Sequence, residues 1–221
     1  MSIQKSEIKL DVKGQPVNAY LAEPKDGGPA VLVLHAWWGL KLFFKELCDR
    51  LAEEGFTALA PDLRNGQIAE TIEGAKELME KSDDKLVGEI VMAAKDHLLT
   101  FSKTGRIGVI GFSMGAAWAM EAAMEDPDKV TATVLFYGAV GGDFNKVRSK
   151  VQGHFSESDE WEPIEYVREM EQNMRDAGMD VTLHFYPGAA HWFVESDRPE
   201  YDSAAASLAW ERTFQFLRKN L

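Results

Sequence analysis

The run Gly111-Phe112-Ser113-Met114-Gly115 sets a hydroxyl between two glycines, directly after the apolar stretch Ile107 to Ile110 and directly before an alanine-rich segment. A strand, a turn too tight for flanking side chains, and then a helix is the context in which G-x-S-x-G presents a nucleophile. The glycines let the backbone pass close to its neighbours, and the helix N-terminus favours negative charge developing beside the hydroxyl. The competing reading is a serine N-cap between glycines that merely pack. A serine hydroxyl is inert at neutral pH unless a base takes its proton, so the nucleophile reading requires a histidine and a group to orient it.

Five histidines are present. His97 lies in a helical pattern, His184 inside a strand, and His35 and His154 at strand ends. His191 ends the loop Pro187-Gly188-Ala189-Ala190-His191 directly after the last apolar run, where small residues leave room for an imidazole to reach a strand-end serine. The alternative for it is a solvated loop histidine. The chain order Ser, Asp, His of α/β-hydrolases asks for a carboxylate between 113 and 191 at a strand end. Asp159, in Phe155-Ser156-Glu157-Ser158-Asp159-Glu160-Trp161, is favoured, and Asp143 in Gly141-Gly142-Asp143 reads as turn chemistry. Glu157 and Glu160 stand close enough to compete.

These residues need a scaffold that brings strand ends together. Residues 1–22 alternate apolar and polar around Lys13-Gly14-Gln15, the pattern of an antiparallel hairpin at a sheet edge. Val31 to Leu34, Phe56 to Leu59, Ile107 to Ile110 and Thr133 to Phe136 are short, continuous apolar runs, as parallel strands covered on both faces require. Helical stretches fall between them. Phe43, Leu47, Leu51 and Ala52 form a stripe ending at Gly55, two more helices are expected over 67–80 and 83–102, and another begins at Ser113 and runs to Asp126-Pro127. A strand near Val151 to Phe155, a helix from about Pro163 to Ala177, a strand Val181 to Tyr186 and a closing helix from about Ser203 to Leu217 complete the alternation. The expected fold is α/β: a mostly parallel central sheet flanked by helices, opened by an antiparallel hairpin, in one domain over 1–221. Function then belongs at the carboxyl ends of the strands.

Composition narrows the partners. The 221 residues carry a net charge of −12 with no basic cluster, so nucleic acid and anionic membrane are not expected partners. With 45% hydrophobic residues there is ample material for a packed core. The one cysteine, Cys48, sits in an apolar helical stripe and reads as core, and no His or carboxylate pair shows metal-ligand spacing; neither metal nor cofactor is expected. MSIQKSEIKL has no apolar signal region, and no apolar run reaches the roughly 18 residues of a membrane span, so the cytoplasm is the expected compartment. A monomer or weak homodimer is expected.

Taken in order, Val31-Leu-Val-Leu-His-Ala-Trp-Trp-Gly-Leu40, Ala60-Pro-Asp-Leu63, Gly111 to Gly115, His154 to Trp161, Tyr186-Pro-Gly-Ala-Ala-His-Trp192 and the closing Ala-Trp-Glu-Arg-Thr-Phe-Gln-Phe-Leu217 resemble the motifs of the dienelactone hydrolase family. The resemblance runs from about Val17 to the end. It implies the α/β-hydrolase fold, with Ser113, Asp159 and His191 as nucleophile, acid and base, and the backbone N–H groups of Trp37 and Met114 as oxyanion hole. Two such preorganised donors are worth several kcal/mol against a developing alkoxide. The implied activity is cleavage of a carboxylic ester or lactone, a small-molecule substrate, through an acyl-enzyme. A thioesterase, a small-amide hydrolase and a silent binding module are the alternatives, and a dehalogenase would need a carboxylate at 113.

The departures are as informative. Family members that open dienelactones carry a cysteine nucleophile with a nearby glutamate; here Ser113 and Ala36 stand there, and a serine served by histidine needs no such glutamate. They also grip the substrate carboxylate with two arginines. No arginine lies between Arg64 and Arg106, and four residues past His191 stands Glu195. Trp38, Phe112, Trp161 and Trp192 flank the site loops; one reading has such aromatics pack the top of the sheet, and the functional reading has them wall an apolar substrate pocket. Glu157, Glu160, Glu162, Glu195 and Asp197 crowd the loops of Asp159 and His191, so the acidic balance is expected to reach the pocket mouth and to favour neutral or cationic esters.

Overall fold

The computed structural model describes residues 2–221. Among the described residues an eight-stranded sheet has the order β1 (Ile3–Val12), β2 (Gln15–Pro24), β4 (Thr57–Pro61), β3 (Ala30–Leu34), β5 (Ile107–Phe112), β6 (Val130–Phe136), β7 (Lys150–Ser156), β8 (Val181–Tyr186), and contacts divide the chain into two compact units that part between Val109 and Ile110.

In the first unit, β1 (Ile3–Val12) and β2 (Gln15–Pro24) form the hairpin that the alternation predicts. Lys13 and Gly14 turn the chain with φ of 51° and 82°, the two left-handed residues that match the strands' own twist, and Asp11 accepts from the Gly14 N–H at 2.6 Å. β2 continues antiparallel onto β4 (Thr57–Pro61), which lies parallel to β3 (Ala30–Leu34). Both of the latter are buried at every position, as their unbroken apolar sequence requires. Three helices belong to this unit: α1 (Leu42–Glu53), α2 (Ile72–Glu80) and α3 (Asp84–Leu99).

The helix expected over 67–80 begins five residues later. Thr71 caps α2 by accepting from the Gly74 N–H, while the Ala69 N–H donates to the Trp38 carbonyl and the Gln67 N–H to that of Arg64, so residues 67–69 are tied into a loop instead. A second fixed point is His35 at the end of β3. Its Nε2 accepts from the Leu63 N–H at 3.0 Å, which puts the ring proton on Nδ1, facing the Ala36 carbonyl at 2.6 Å. The ring is fully buried, and burial lowers its pKa to about 4.

The second unit takes up β5 (Ile107–Phe112) from Ile110 and adds α4 (Met114–Glu125), β6 (Val130–Phe136), β7 (Lys150–Ser156), α5 (Ile164–Asp176), β8 (Val181–Tyr186) and α6 (Ser203–Asn220). β6, β7 and β8 are parallel. β5 and β6 are apolar almost throughout and buried, whereas the terminal strand β8 leaves Thr182 to solvent. α4 packs Ala116, Ala119, Met120 and Ala123 inward at helical spacing, and these mostly small side chains let it lie close on β6. α6 is capped by Asp202, whose carboxylate accepts from the Ala204 and Ala205 N–H groups. Among the described residues no helix is long and apolar enough to cross a membrane.

His35 gives a pH signature. Its folded value of about 4 lies below the ordinary 6.5, so between the two the unfolded chain binds the extra proton. Its contribution is therefore present above pH 6.5 and lost as the pH falls toward 4, on the order of 3 kcal/mol. Urea unfolding against pH should show the stability gap between wild type and His35→Gln closing over that window; a gap independent of pH contradicts the assignment.

Candidate active site

Ser113 stands where β5 ends and α4 begins, with φ 49° and ψ −114°. For a residue with a side chain such a backbone costs on the order of 1–3 kcal/mol, and it persists only where neighbours over-determine it. They do. The Ser113 N–H donates to the Phe136 carbonyl at 2.9 Å and its carbonyl accepts from the Ala116 N–H at 2.9 Å. A Cβ on Gly111 would overlap the Gly115 carbonyl, and one on Gly138 would lie 2.6 Å from both the Ser113 oxygen and the Ala116 Cβ. The flanking glycine and the glycine after β6 are thus fixed by close approach of backbone, and the turn lifts the hydroxyl above α4.

His191 receives that hydroxyl. Its Nε2 lies 3.1 Å from Ser113 Oγ, and its Nδ1 lies 2.7 Å from Asp159 Oδ2. A carboxylate can only accept, so Nδ1 carries the proton and Nε2 is left as acceptor for the serine. Both side chains are nearly closed to solvent, 4% exposed for the histidine and 1% for the aspartate. Asp159 is itself held: Oδ1 accepts from the Trp161 N–H at 2.8 Å and the Glu162 N–H at 3.0 Å. At the end of β7, Ser156 accepts from the Ser158 N–H and donates to the Ala189 carbonyl at 2.5 Å, lacing the acid loop to the histidine loop. A hydroxyl, a correctly protonated imidazole and a buried carboxylate in series can draw a proton off the serine. The alternative carboxylate, Asp143, is exposed and occupied by Asn145 at 3.1 Å.

The four aromatics of the expected pocket wall differ in exposure. Phe112 is fully buried and stacked on Phe136 at 4.8 Å, with Trp210 behind, so it is core packing. Trp38 is fully buried, edge-on to Trp37 at 5.3 Å. Trp192 is 2% exposed and packs edge-on to His191 at 4.7 Å. Trp161 alone of the four is exposed, 39%, with its ring 6.5 Å from that of His191 and 5.5 Å from that of Trp192. Of the expected acidic rim, Glu157, Glu160 and Asp197 are exposed, but Glu195 is fully buried and accepts from the Tyr137 hydroxyl at 2.7 Å. Glu162 is half-buried in the wall of a cleft of about 380 Å3 that it shares with residues 139–142, Tyr166 and Met170. Burial raises its carboxyl to about 7, against a backbone hydrogen bond from Ala139 that lowers it. Arg198 pairs with Glu200 and lies over the Trp192 ring, Arg64 is buried, and burial pushes the Cys48 thiol up, which keeps it inert. Among the described residues no cluster of three or more His, Cys or carboxylate side chains could hold a metal.

Tyr137, whose ring lies 4.9 Å from that of His191, and Gly138, which packs on the Ser113 carbonyl, carry no signal in the sequence. An aromatic before a glycine at a strand end carries no pattern of its own.

The model of the dienelactone hydrolase family matches residues 17–221, across both units. The chain belongs to the dienelactone hydrolase family. Protein usf of Aquifex pyrophilus is 34% identical over 227 residues, covering 97% of this chain and 98% of that protein. A protein of Aquifex aeolicus named "Putative carboxymethylenebutenolidase" is likewise 34% identical, over 97% of this chain and 98% of its own. Among solved structures, a "Putative Dienelactone Hydrolase" from Klebsiella pneumoniae superposes with a TM-score of 0.89 at 25% identity, covering 99% of this chain and all of that one. The fold is that of the α/β-hydrolases and the chain is a hydrolase of this family's type.

Close approach at the elbow predicts that Gly111→Ala costs at least about 2 kcal/mol, because the atoms it meets are backbone and cannot step aside. Gly141→Ala, with nothing within 4 Å, is the control expected to keep the wild-type urea midpoint. Equal midpoints for the two variants contradict the reading.

Proposed function

We propose that this chain hydrolyses a carboxylic ester or lactone through an acyl-enzyme on Ser113. The observation that carries the reading is the continuous hydrogen-bonded line from Asp159 through His191 to Ser113, at 2.7 and 3.1 Å. In the first step His191 Nε2 takes the Ser113 proton as Oγ bonds to the substrate carbonyl carbon. The imidazolium so formed is held by Asp159 and hands the proton to the leaving alkoxide as the ester bond breaks. Water then attacks the acyl-serine by the same route, releasing the acid and restoring the serine. The tetrahedral oxyanion is assigned to the backbone N–H of Met114, the first residue of α4. The α4 N-terminus adds its positive dipole end beside Ser113.

The family and the carboxymethylenebutenolidase name of the Aquifex aeolicus relative bring lactones into the reading. Charge argues for a neutral one. Glu195 occupies the place where the resemblance expects an arginine on a substrate carboxylate, and Glu157, Glu160 and Asp197 are exposed on the same two loops. An anionic substrate would meet like charge on these loops.

Ser113→Ala should abolish turnover of a short-chain aryl ester, at least about 10³-fold in kcat, while its thermal midpoint stays near wild type. Undiminished turnover rules out the nucleophile assignment. On wild type, kcat/KM for a neutral ester should exceed that for cis-dienelactone by about tenfold or more, and the reverse order refutes the charge argument.

A further inference from the structure

Within Ile110–Leu221 three residues other than glycine hold positive φ: Ser113 at 49°, Tyr137 at 39° and Trp192 at 58°. The first is the proposed nucleophile and the last follows the proposed base. Tyr137 belongs to neither the proposed relay nor its oxyanion donor, yet it is fully buried and its ring centroid lies 4.9 Å from that of His191. Its backbone continues β6: the Tyr137 N–H donates to the His154 carbonyl at 2.9 Å, and the preceding carbonyl, of Phe136, is the one that accepts from Ser113. The residue that supports the imidazole is therefore built on the same backbone that fixes the serine.

The tyrosine hydroxyl donates to Glu195 Oε1 at 2.7 Å, and Glu195 is fully buried as well. Burying a carboxylate is expensive, so one kept in the interior calls for an account. Burial first, and then the charge of Glu195, hold the Tyr137 hydroxyl well above its ordinary pKa, so it remains a donor. Glu195 also lies in the turn that leaves the histidine. Its N–H donates to the Trp192 carbonyl at 2.9 Å and its own carbonyl accepts from the Arg198 N–H at 3.0 Å. That turn contains the strained Trp192, which a looser segment would let relax.

We propose that Tyr137 and Glu195 are a buried positioning pair for His191: the tyrosine ring, tilted 53° to the imidazole, is the side chain against which it rests, and Glu195 holds that ring by its hydroxyl while its backbone closes the turn after the histidine. The inference rests on the reading of His191 as general base. It also accounts for a glutamate where the resemblance expects an arginine, since the side chain is turned inward to the tyrosine.

The test is steady-state kinetics on a neutral aryl ester for Tyr137→Phe, Glu195→Gln and the double variant, with Ser113→Ala alongside. Fluorophosphonate labelling rates and thermal midpoints are measured on the same preparations. Tyr137→Phe keeps the ring and removes only the hydroxyl; Glu195→Gln keeps the volume and removes the charge. Each single variant should lose about 10- to 100-fold in kcat with KM within about threefold, since a misplaced base costs rate more than binding. Labelling should slow by the same factor. Because the two act as one unit, the double variant should be no slower than the slower single variant. A pair that serves only architecture would lower the thermal midpoint and leave kcat per folded molecule within about twofold of wild type; that result, or a double variant whose loss equals the product of the singles, overturns the proposal. If Glu195→Gln does not fold, kcat of Tyr137→Phe decides alone. An active Ser113→Ala would sink the reading of the relay, whereas an inactive Ser113→Ala beside a fully active Tyr137→Phe sinks only the positioning role.

Discussion

Ser113 holds its backbone where a side chain is unwelcome, and the surrounding chain is arranged so that it has no alternative. The Phe136 carbonyl takes its N–H, the Ala116 N–H takes its carbonyl, and Gly111 and Gly138 give up the Cβ atoms that would push the turn open. Alanines of α4 let that helix come down onto β6, which sets the distance at which the Phe136 carbonyl waits. The elbow thus links β5, β6 and α4 into one constraint, and the position of the Ser113 hydroxyl is its outcome.

The same economy extends to the loops that carry Asp159 and His191. Both follow parallel neighbours, β7 and β8, so their starting points are set side by side by the sheet. Ser156 ties them at the root through Ala189, and Asp159 and His191 tie them at the tip. Two backbone N–H groups on one oxygen of Asp159 leave the other aimed at the imidazole, so the carboxylate enters the hydrogen bond already oriented. A loop histidine, which on its own would wander among rotamers, is held on both nitrogens and packed against Tyr137 and Trp192.

How much of this could be read from the chain depends on whether the controlling interaction is local. G-x-S-x-G, the alternating hairpin and the unbroken apolar strands are short-range patterns, and the turn at Lys13-Gly14 and strands β3, β4 and β6 lie where they predict. The start of α2 was missed because the bond that unmakes residues 67–69 as helix, from the Ala69 N–H to the Trp38 carbonyl, spans 31 positions. Asp159 stands out in the sequence because the order Ser, Asp, His and a strand end converge on it, and the structure sets its Oδ2 2.7 Å from His191 Nδ1. Whether an aromatic is covered or exposed is not a local property: Phe112, Trp38 and Trp192 are buried and Trp161 is 39% exposed, and nothing in their neighbouring residues distinguishes them. Glu195 misled for the same reason. A glutamate in a loop reads as solvated, and nothing near it in sequence announces a tyrosine hydroxyl 58 residues earlier.

The proposed acyl-enzyme is one covalent bond, between Ser113 Oγ and the carbon or phosphorus of an electrophile. Quenching the wild-type protein in acid during turnover of a slow aryl ester, or after exposure to a fluorophosphonate, and mapping the added mass by peptide mass spectrometry, measures it directly. The prediction is one adduct per chain, confined to the peptide that contains Ser113 and absent from Ser113→Ala. Turnover without an adduct, or an adduct carried by Cys48 or any other residue, contradicts it.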